Sequence, residues 1–283
     1  MTRSTDGPRV AVVIPCFNDG PLLVEAIASI EEPEPIELVV VDDGSTDAAT
    51  LEILDRFGVE GIRVLRHDVN RGIAQARNTG LGATSAHFLF PLDADDLAVA
   101  GALTQMAERL DAVPEAVVGY GDYLEFGTRE LVRAVPPRID PYRLAYVNEY
   151  PVSALYRRTL LEEVGGWRGP RRGYEDWSLW MAIAERCRRG GVYLGPDELS
   201  YRRRIHGERM LNRSKRVHRE LYVELRASHP RLFSELRLHK QRSDLSLWRK
   251  ILYPLLYGGR RRFGFEQHVK NWLDRAGIWT LRG

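Results

Sequence analysis

Three carboxylates fall within four positions of "FLFPLDADDL", residues 88–97: Asp93, Asp95 and Asp96 follow directly on a run of apolar and aromatic residues. At the mouth of a buried strand such charges repel one another and each loses solvation, so the cluster needs a positive partner. Asp93 and Asp95 stand two apart, and on an extended segment side chains at that spacing point the same general way, past the small Ala94. Hard oxygen ligands select Mg2+ or Mn2+, ions commonly held by one or two carboxylates together with substrate phosphates. Asp95 is the first choice of ligand, with Asp93 assisting it or holding a ribose, and Asp96 is read instead as a cap for the helix expected next. A solvated acidic turn is the alternative without chemistry.

Four further stretches carry groups of the right kind. In "VVVDDGSTD" (39–47), Asp42 and Asp43 end an apolar run, Gly44 permits a tight turn, and Ser45, Thr46 or Asp47 can cap the next helix. One of the paired carboxylates then serves a ligand edge, a base N–H or a ribose hydroxyl, unless the stretch is only a strand-to-helix turn. In "NRGIAQARNTGL" (70–81), Arg77 and Asn78 sit on a helix from which they can support the acidic cluster, a solvated helix arginine being the plainer reading. In "RRGYEDWSLW" (171–180), Glu175 and Asp176 open a helix, where the macrodipole favours negative charge. Adjacent helical residues differ by about 100° in direction, so one of the two faces a given cleft. Asp176 shares a side with Trp180 and Ile183 and is the better candidate base. In "YRRRIHGERML" (201–211), His206 lies just beyond a strand, among Arg202, Arg203, Arg204 and Arg209. A histidine there can ligate the cation or hydrogen-bond a phosphate, and an arginine can neutralise a leaving diphosphate; a surface turn is the ordinary alternative.

The elements that would position these groups alternate. A continuous β-branched run at 10–15 and further strand-like runs at 36–43, 62–67 and 86–93 are separated by helical spacings at 21–30, 47–58 and 73–84. Strand, helix, strand with short connections predicts βαβ units on a parallel sheet covered on both faces, which binds ligands at the carboxyl ends of its strands. Asn18, Asp42, Asp43 and Asp93 all fall at such ends. Further on, 103–114 reads as helix, 116–126 as one extended segment with 130–137 as its hairpin partner, 152–167 as a strand turning into a helix, 173–191 as helix and 199–206 as strand. A boundary is expected near residue 210.

Composition bounds the rest. Cys16 and Cys187 match no disulfide framework or metal spacing and read as buried reduced thiols. No run approaches the ~18–20 apolar residues of a membrane span, and "MTRSTDGP" lacks the apolar middle of a signal peptide, so a cytoplasmic location is expected. "NRS" at 212–214 is a glycosylation sequon by spelling alone. Residues 1–200 hold 20 Lys+Arg against 32 Asp+Glu, and residues 201–283 hold 21 against 7, so an acidic body of net −12 precedes a basic tail of net +14. Such a body suits a cation and such a tail an anion: a diphosphate, a lipid surface or an acidic polymer.

Taken in order, "VVIPCFNDG", "VVVDDGSTD", "NRGIAQARNTGL", "PLDADD", "GGWRGPRRGYEDWSLW" and "YRRRIHG" strongly resemble the family 2 glycosyltransferases over roughly residues 9–210. The resemblance implies the GT-A fold, a Rossmann-like α/β domain with a mostly parallel sheet, over residues 1–210; beyond it the chain itself reads as a basic, mainly helical extension at 211–283. It implies an inverting transfer of sugar from a nucleotide diphosphate sugar, most often a UDP-sugar, to an acceptor hydroxyl in cell-surface polysaccharide or glycoconjugate synthesis. Pro15 and Asn18 would lie beside the nucleotide, Asp43 would meet the base, and Arg77 belongs to the nucleotide-side helix motif. Asp93 and Asp95 match the Asp-x-Asp site for Mn2+ or Mg2+, with Asp93 near the ribose. Gly166 and Trp167 match the turn bordering donor sugar and acceptor, Asp176 of the Glu175–Asp176 pair matches the general base, and His206 matches a histidine near metal and diphosphate. Ser178 departs from the family, which often carries a second acidic residue soon after that pair, and this leaves Glu175 in contention as base.

The acceptor implied is a saccharide, a lipid-linked saccharide or a small molecule, and no nucleic-acid partner is expected. "LSLWRKILYPLLYGGRRRFGF" (245–265) joins an apolar helical stretch to a basic run, suited either to packing on the catalytic domain or to peripheral contact with the inner face of a membrane. Three rivals compete. A sugar nucleotidyltransferase should show a glycine-rich, basic phosphate loop, which "VVIPCFNDGP" lacks; a glycosidase needs two carboxylates flanking a bond and no metal; a non-catalytic nucleotide-sugar or glycan-binding module would bind donor without turnover.

Overall fold

The computed structural model describes residues 7–169, 173–186, 190–206, 218–256 and 272. Cys187, Arg209, the sequon at 212–214 and the basic run after residue 256 lie outside the described residues. The first elements are β1 (Val10–Cys16), α1 (Gly20–Ala28), β2 (Ile36–Asp42), α2 (Ala48–Val59), β3 (Arg63–Arg66), α3 (Ile73–Ala83) and β4 (Phe88–Pro91). There follow β5 (Leu97–Ala98), α4 (Ala102–Ala112), β6 (Val118–Tyr120), β7 (Asp122–Gly127), β8 (Leu131–Arg133), α5 (Pro141–Leu144), β9 (Leu155–Arg157), α6 (Arg158–Val164), α7 (Glu175–Arg186), β10 (Val192–Tyr193) and β11 (Leu199–Ile205). Four helices complete the described chain: α8 (His218–Ser228), α9 (Pro230–Ser234), α10 (Leu236–Arg242) and α11 (Leu247–Leu256).

The chain divides into two compact units. The first comprises Met1–Arg133, Val152–Gly166 and Gly191–Ile205. Its main sheet has the order β10-β6-β9-β4-β1-β2-β3 among the described residues. β1 lies at its heart, buried along its whole length, parallel to β2 on one side and to β4 on the other. A strand covered on both faces must be apolar throughout, which is why "VAVVIPC" shows no alternation. β9 runs antiparallel between β4 and β6, so the sheet is mostly rather than wholly parallel. The thiol of Cys16 is buried at the end of β1, and burial pushes its pKa up to about 12, the inert state expected for it.

One expected segment divides. The extended run at 116–126 becomes two strands in different sheets: β6 joins the main sheet, and β7 joins a second sheet of order β5-β11-β7-β8. Gly121 sits at the switch. A Cβ there would meet the carbonyl oxygen of Glu198 at 2.8 Å, so only glycine lets the two backbones come this close. The hairpin partner of β7 is β8, antiparallel and shorter than the stretch 130–137 suggested.

The second unit comprises Ala134–Pro151, Trp167–Gly190 and His206–Gly283. Its described core is aromatic. Trp177 and Trp180 are buried on α7, and each satisfies its indole N–H on a backbone carbonyl, of Leu144 at 2.7 Å and of Pro151 at 2.9 Å. Such pairing is what permits a tryptophan to be buried without a polar penalty. Among the described residues no helix is long and apolar enough to cross a membrane.

Candidate functional site

In the first unit the loops at the carboxyl ends of β1, β2 and β4 are tied together by their own polar side chains. Asn18, at φ 60, uses its side-chain oxygen to accept the backbone N–H groups of Thr46 (2.8 Å) and Asp47 (3.0 Å), and its own N–H donates to Ser45 Oγ at 3.0 Å. The residue expected beside a nucleotide thus also binds the β1 loop to the β2 loop, with the buried Pro15 three positions before it in β1. Of the three candidate caps for α2, Asp47 serves: it accepts from the N–H and the hydroxyl of Thr50, both at 2.8 Å.

Asp42 and Asp43 are both buried, and they divide their duties. Asp42 accepts the N–H of Ser45 at 2.9 Å and so shapes the turn. Asp43 reaches the start of α3, where Oδ1 accepts the N–H of Arg71 (2.9 Å) and Oδ2 that of Gly72 (2.8 Å). Oδ1 also meets Nδ1 of His67 at 2.7 Å, and His67 Nε2 meets Thr79 Oγ1 at 2.9 Å. Sequence reading missed His67, whose partners lie too far along the chain for any spacing to reveal them.

Arg77 is 1% exposed and donates from Nη2 to Asp93 Oδ1 at 2.6 Å. The solvated-arginine reading of Arg77 therefore fails, and the expected support of the acidic cluster is present. Asp93, Asp95 and Asp96 each offer a carboxylate oxygen, and these atoms lie within 4.8 Å of one another. Three hard anionic donors this close fit a small divalent cation, the charge the cluster needs.

Asp96 does not cap a helix. β5 follows it, and its buried carboxylate accepts the backbone N–H of Arg204 in β11 at 2.8 Å. Arg204 completes the clamp, donating from Nε to the carbonyl oxygen of Asp95 (3.0 Å) and from Nη2 to Glu25 (2.6 Å). Of the arginines of "YRRRIHG" offered as partners for a diphosphate, Arg204 thus lies on the acidic loop itself. Arg202 and Arg204 share one face, each 4.7 Å from the centre of the Phe126 ring. Arg203, on the other face, is half-buried; burial opposes its charge, but Tyr123, Tyr201 and Asp96 outweigh that and raise its pKa.

Gly166 adopts φ 71 after the αL cap Gly165, and a Cβ on it would overlap the side-chain oxygen of Asn78 on α3. The turn residue and the helix motif that sequence reading treated separately are therefore in contact.

The second unit holds the candidate bases. Glu175 is buried, whereas Asp176 is half-buried and accepts at Oδ2 from the side-chain amide of Asn148 at 3.0 Å. Trp180 and Ile183, expected on the same side of α7 as Asp176, are fully buried, as is Trp167. Immediately before this helix Tyr174 is held at φ 71, a conformation that for a bulky side chain costs of order 1–3 kcal/mol. Two contacts offset it: the phenol donates to Nδ1 of His218 at 2.6 Å, and the ring meets Trp177 edge-on at 5.3 Å. Each contributes about 0.5–1.5 kcal/mol. Ser178, where the family often has an acid, is buried against His229 Nε2 at 2.9 Å, and His229 Nδ1 meets Glu185 at 3.1 Å. With Ser178 and His229 buried, this trio fastens α7 to α9, where Glu185 also accepts the N–H of Leu232 at 2.9 Å. His206 is half-buried, one residue beyond β11.

Burial lowers the pKa of His218 below its ordinary 6.5, consistent with a neutral ring accepting the Tyr174 proton. A depressed folded-state value stabilises above the unfolded pKa and is lost as pH falls through the folded one. Thermal unfolding followed from about pH 7.5 to pH 5 should show the wild type losing stability more steeply than His218→Phe. Equal slopes would mean that His218 is not the responsible group.

A sequence model described as "Glycosyl transferase family 2" matches residues 11–165, more than half of the chain. The chain belongs to glycosyl transferase family 2. The nucleotidyltransferase and glycosidase readings fall with that membership. Among relatives, Escherichia coli WfgD, a UDP-Glc:alpha-D-GlcNAc-diphosphoundecaprenol beta-1,3-glucosyltransferase, is 28% identical over 63% of this chain and 70% of its own. The fold matches S. aureus TarS 1-349, solved with UDP-GlcNAc, with a TM-score of 0.63 at 20% identity over 87% of this chain and 78% of that one. It also matches the mannosyltransferase PcManGT from Pyrobaculum calidifontis, solved with GDP-Man and Mn2+, with a TM-score of 0.58 at 21% identity over 98% and 78% of the two chains. These neighbours establish the GT-A fold expected from the sequence. The chain spans between about a fifth and a half of the length of the first curated relatives it matches.

Proposed function

We propose that this family member transfers a sugar from a UDP-sugar to an acceptor hydroxyl with inversion, assisted by a divalent cation at Asp95 and Asp93, in polysaccharide or glycoconjugate synthesis. The observation that carries the reading is the carboxylate cluster after β4, held by Arg77 on one side and Arg204 on the other. The UDP-GlcNAc bound by TarS and the donor in the name of WfgD support UDP, and the Mn2+ bound by PcManGT supports the metal. His206 is a further candidate ligand. When bound, such a cation supplies Lewis-acid stabilisation to the departing diphosphate.

The chain's own residues do the rest in this reading. Asp43, fixed by three donors, receives the base, with Pro15 and Asn18 beside the nucleotide. Gly166 and Trp167 border the sugar. Asp176 takes the proton of the acceptor hydroxyl as that oxygen bonds to the anomeric carbon, the bond from that carbon to the diphosphate oxygen breaks on the opposite side, and the configuration inverts. Residues 1–210 form the catalytic domain in this scheme and 211–283 a basic extension. Calorimetric titration of UDP, with GDP and dTDP alongside, should show UDP binding that requires Mn2+. If no nucleotide binds with or without the metal, the non-catalytic glycan-binding reading takes its place.

A second observation bears on the acceptor. α11 buries Arg249 and Tyr253, whereas Leu247 and Ile251 are 76% and 53% exposed, with Trp248 between them at 38%. This apolar stripe, beside Lys250 and ahead of the basic residues at 260–262, supports contact with an anionic membrane surface and hence a lipid-linked acceptor. The wild type should co-sediment with vesicles containing anionic lipid and be released by salt, and a variant carrying Leu247→Ser, Trp248→Ser and Ile251→Ser should stay in solution. Unchanged sedimentation of that variant would remove the membrane reading.

A further inference from the structure

Asp43, directly after β2, has almost all of its acceptor capacity used. An ionised carboxylate has about four lone-pair positions. Here the N–H groups of Arg71 and Gly72 and the ring of His67 occupy three, two on Oδ1 and one on Oδ2. The carboxylate is 3% exposed and His67 8%, so solvent does not compete for this arrangement. Because a carboxylate only accepts, Nδ1 of His67 must carry a proton, and this fixes the tautomer of a neutral ring: Nε2 then accepts the hydroxyl of Thr79. The ring spans from the residue after β3 to α3 and cannot rotate without breaking one of its two bonds. Rotation of the Asp43 carboxylate would likewise cost the His67 bond at 2.7 Å, the shortest of its three. A charge-assisted bond of this kind is among the stronger ones available to a side chain.

We propose that His67 is a positioning residue for base recognition: it locks the Asp43 carboxylate so that Oδ2 keeps a single acceptor position for an N–H on the edge of the nucleobase. The inference rests on the reading that Asp43 meets the base. It adds that the selectivity for an N–H donor is created by a histidine that touches no substrate. Oδ1, already bearing two donors, has no such role.

The test is calorimetric titration, in the presence of Mn2+, of UDP and of N3-methyl-UDP, which lacks the imide N–H, with inorganic pyrophosphate as a probe of the phosphate end. The proteins are the wild type, His67→Phe, His67→Asn and Asp43→Asn. The wild type should prefer UDP over its methyl analogue. His67→Phe should weaken UDP binding by about tenfold, bring the ratio between the two nucleotides toward one and leave pyrophosphate unchanged. His67→Asn, which keeps an N–H near the position of Nδ1, should retain most of the ratio. If His67→Phe keeps the wild-type ratio while Asp43→Asn loses it, the role of His67 is overturned and the reading of Asp43 stands. If Asp43→Asn leaves the ratio unchanged, or the wild type shows no preference, that reading fails and takes the inference with it. A parallel loss of pyrophosphate binding in both His67 variants marks a merely structural residue and also overturns the proposal.

Discussion

Asp176→Asn is expected to lower the turnover of sugar transfer by about 10²- to 10⁴-fold while leaving donor affinity within about twofold of the wild type. The range is that of a lost general base. The substitution keeps the shape of the side chain and removes its ability to take a proton, and Asn148 is available to hold the replaced group as it holds Oδ2 now. Glu175→Gln is the control that decides between the two carboxylates. Glu175 is buried, so its substitution should appear mainly as a fall in thermal stability. Should Glu175→Gln instead remove turnover in a folded protein while Asp176→Asn retains it, the assignment reverses. Measuring kcat and KM for both variants beside their unfolding temperatures separates these cases.

The parts of this protein that were legible in its sequence are those whose signal is local. The uninterrupted β-branched run of β1 can only be a strand buried on both faces, and the turn chemistry of Gly44 to Asp47 announces a helix cap within nine residues of text. Asp93 and Asp95 declare themselves by charge density alone. What escaped is held by contacts between distant positions. His67 reads as the end of a strand until Asp43 and Thr79 are seen on either side of it. Arg204 reads as one of three equal arginines, yet the alternation of β11 places it on the acidic loop and sends Arg203 to the other face, beside Tyr123. Asp96 was misread for the same reason. A carboxylate after an apolar run is a reasonable helix cap, but here a strand from the far end of the unit supplies the N–H that it accepts. Gly121 gave no warning of a change of sheet, since the backbone that requires a glycine there belongs to Glu198.

Asp95→Ala should abolish Mn2+-dependent binding of UDP and reduce transfer by about 10³-fold or more, the scale expected when charge stabilisation of a leaving group is lost. The same substitution also removes charge repulsion from the protein without metal. Carboxylate oxygens at 4.8 Å, the upper limit of separation in this cluster, repel by roughly 1 kcal/mol per charge pair in water and roughly 3–4 kcal/mol at an effective dielectric constant near 20. Removing Asp95 relieves two of the three pairs in the cluster. The loop keeps its anchors, because Arg77 binds the side chain of Asp93 and Arg204 binds the backbone carbonyl of residue 95, which alanine also possesses. Without metal the variant should therefore remain folded. Added Mn2+ should raise the unfolding temperature of the wild type alone, since ligand binding stabilises in proportion to the logarithm of its saturation. Asp96→Ala should differ on both counts: it strips the Arg204 N–H of its buried acceptor and lowers stability with or without metal. An Asp95→Ala protein that still gains stability from Mn2+ would move the cation away from this cluster, and with it the proposed donor site.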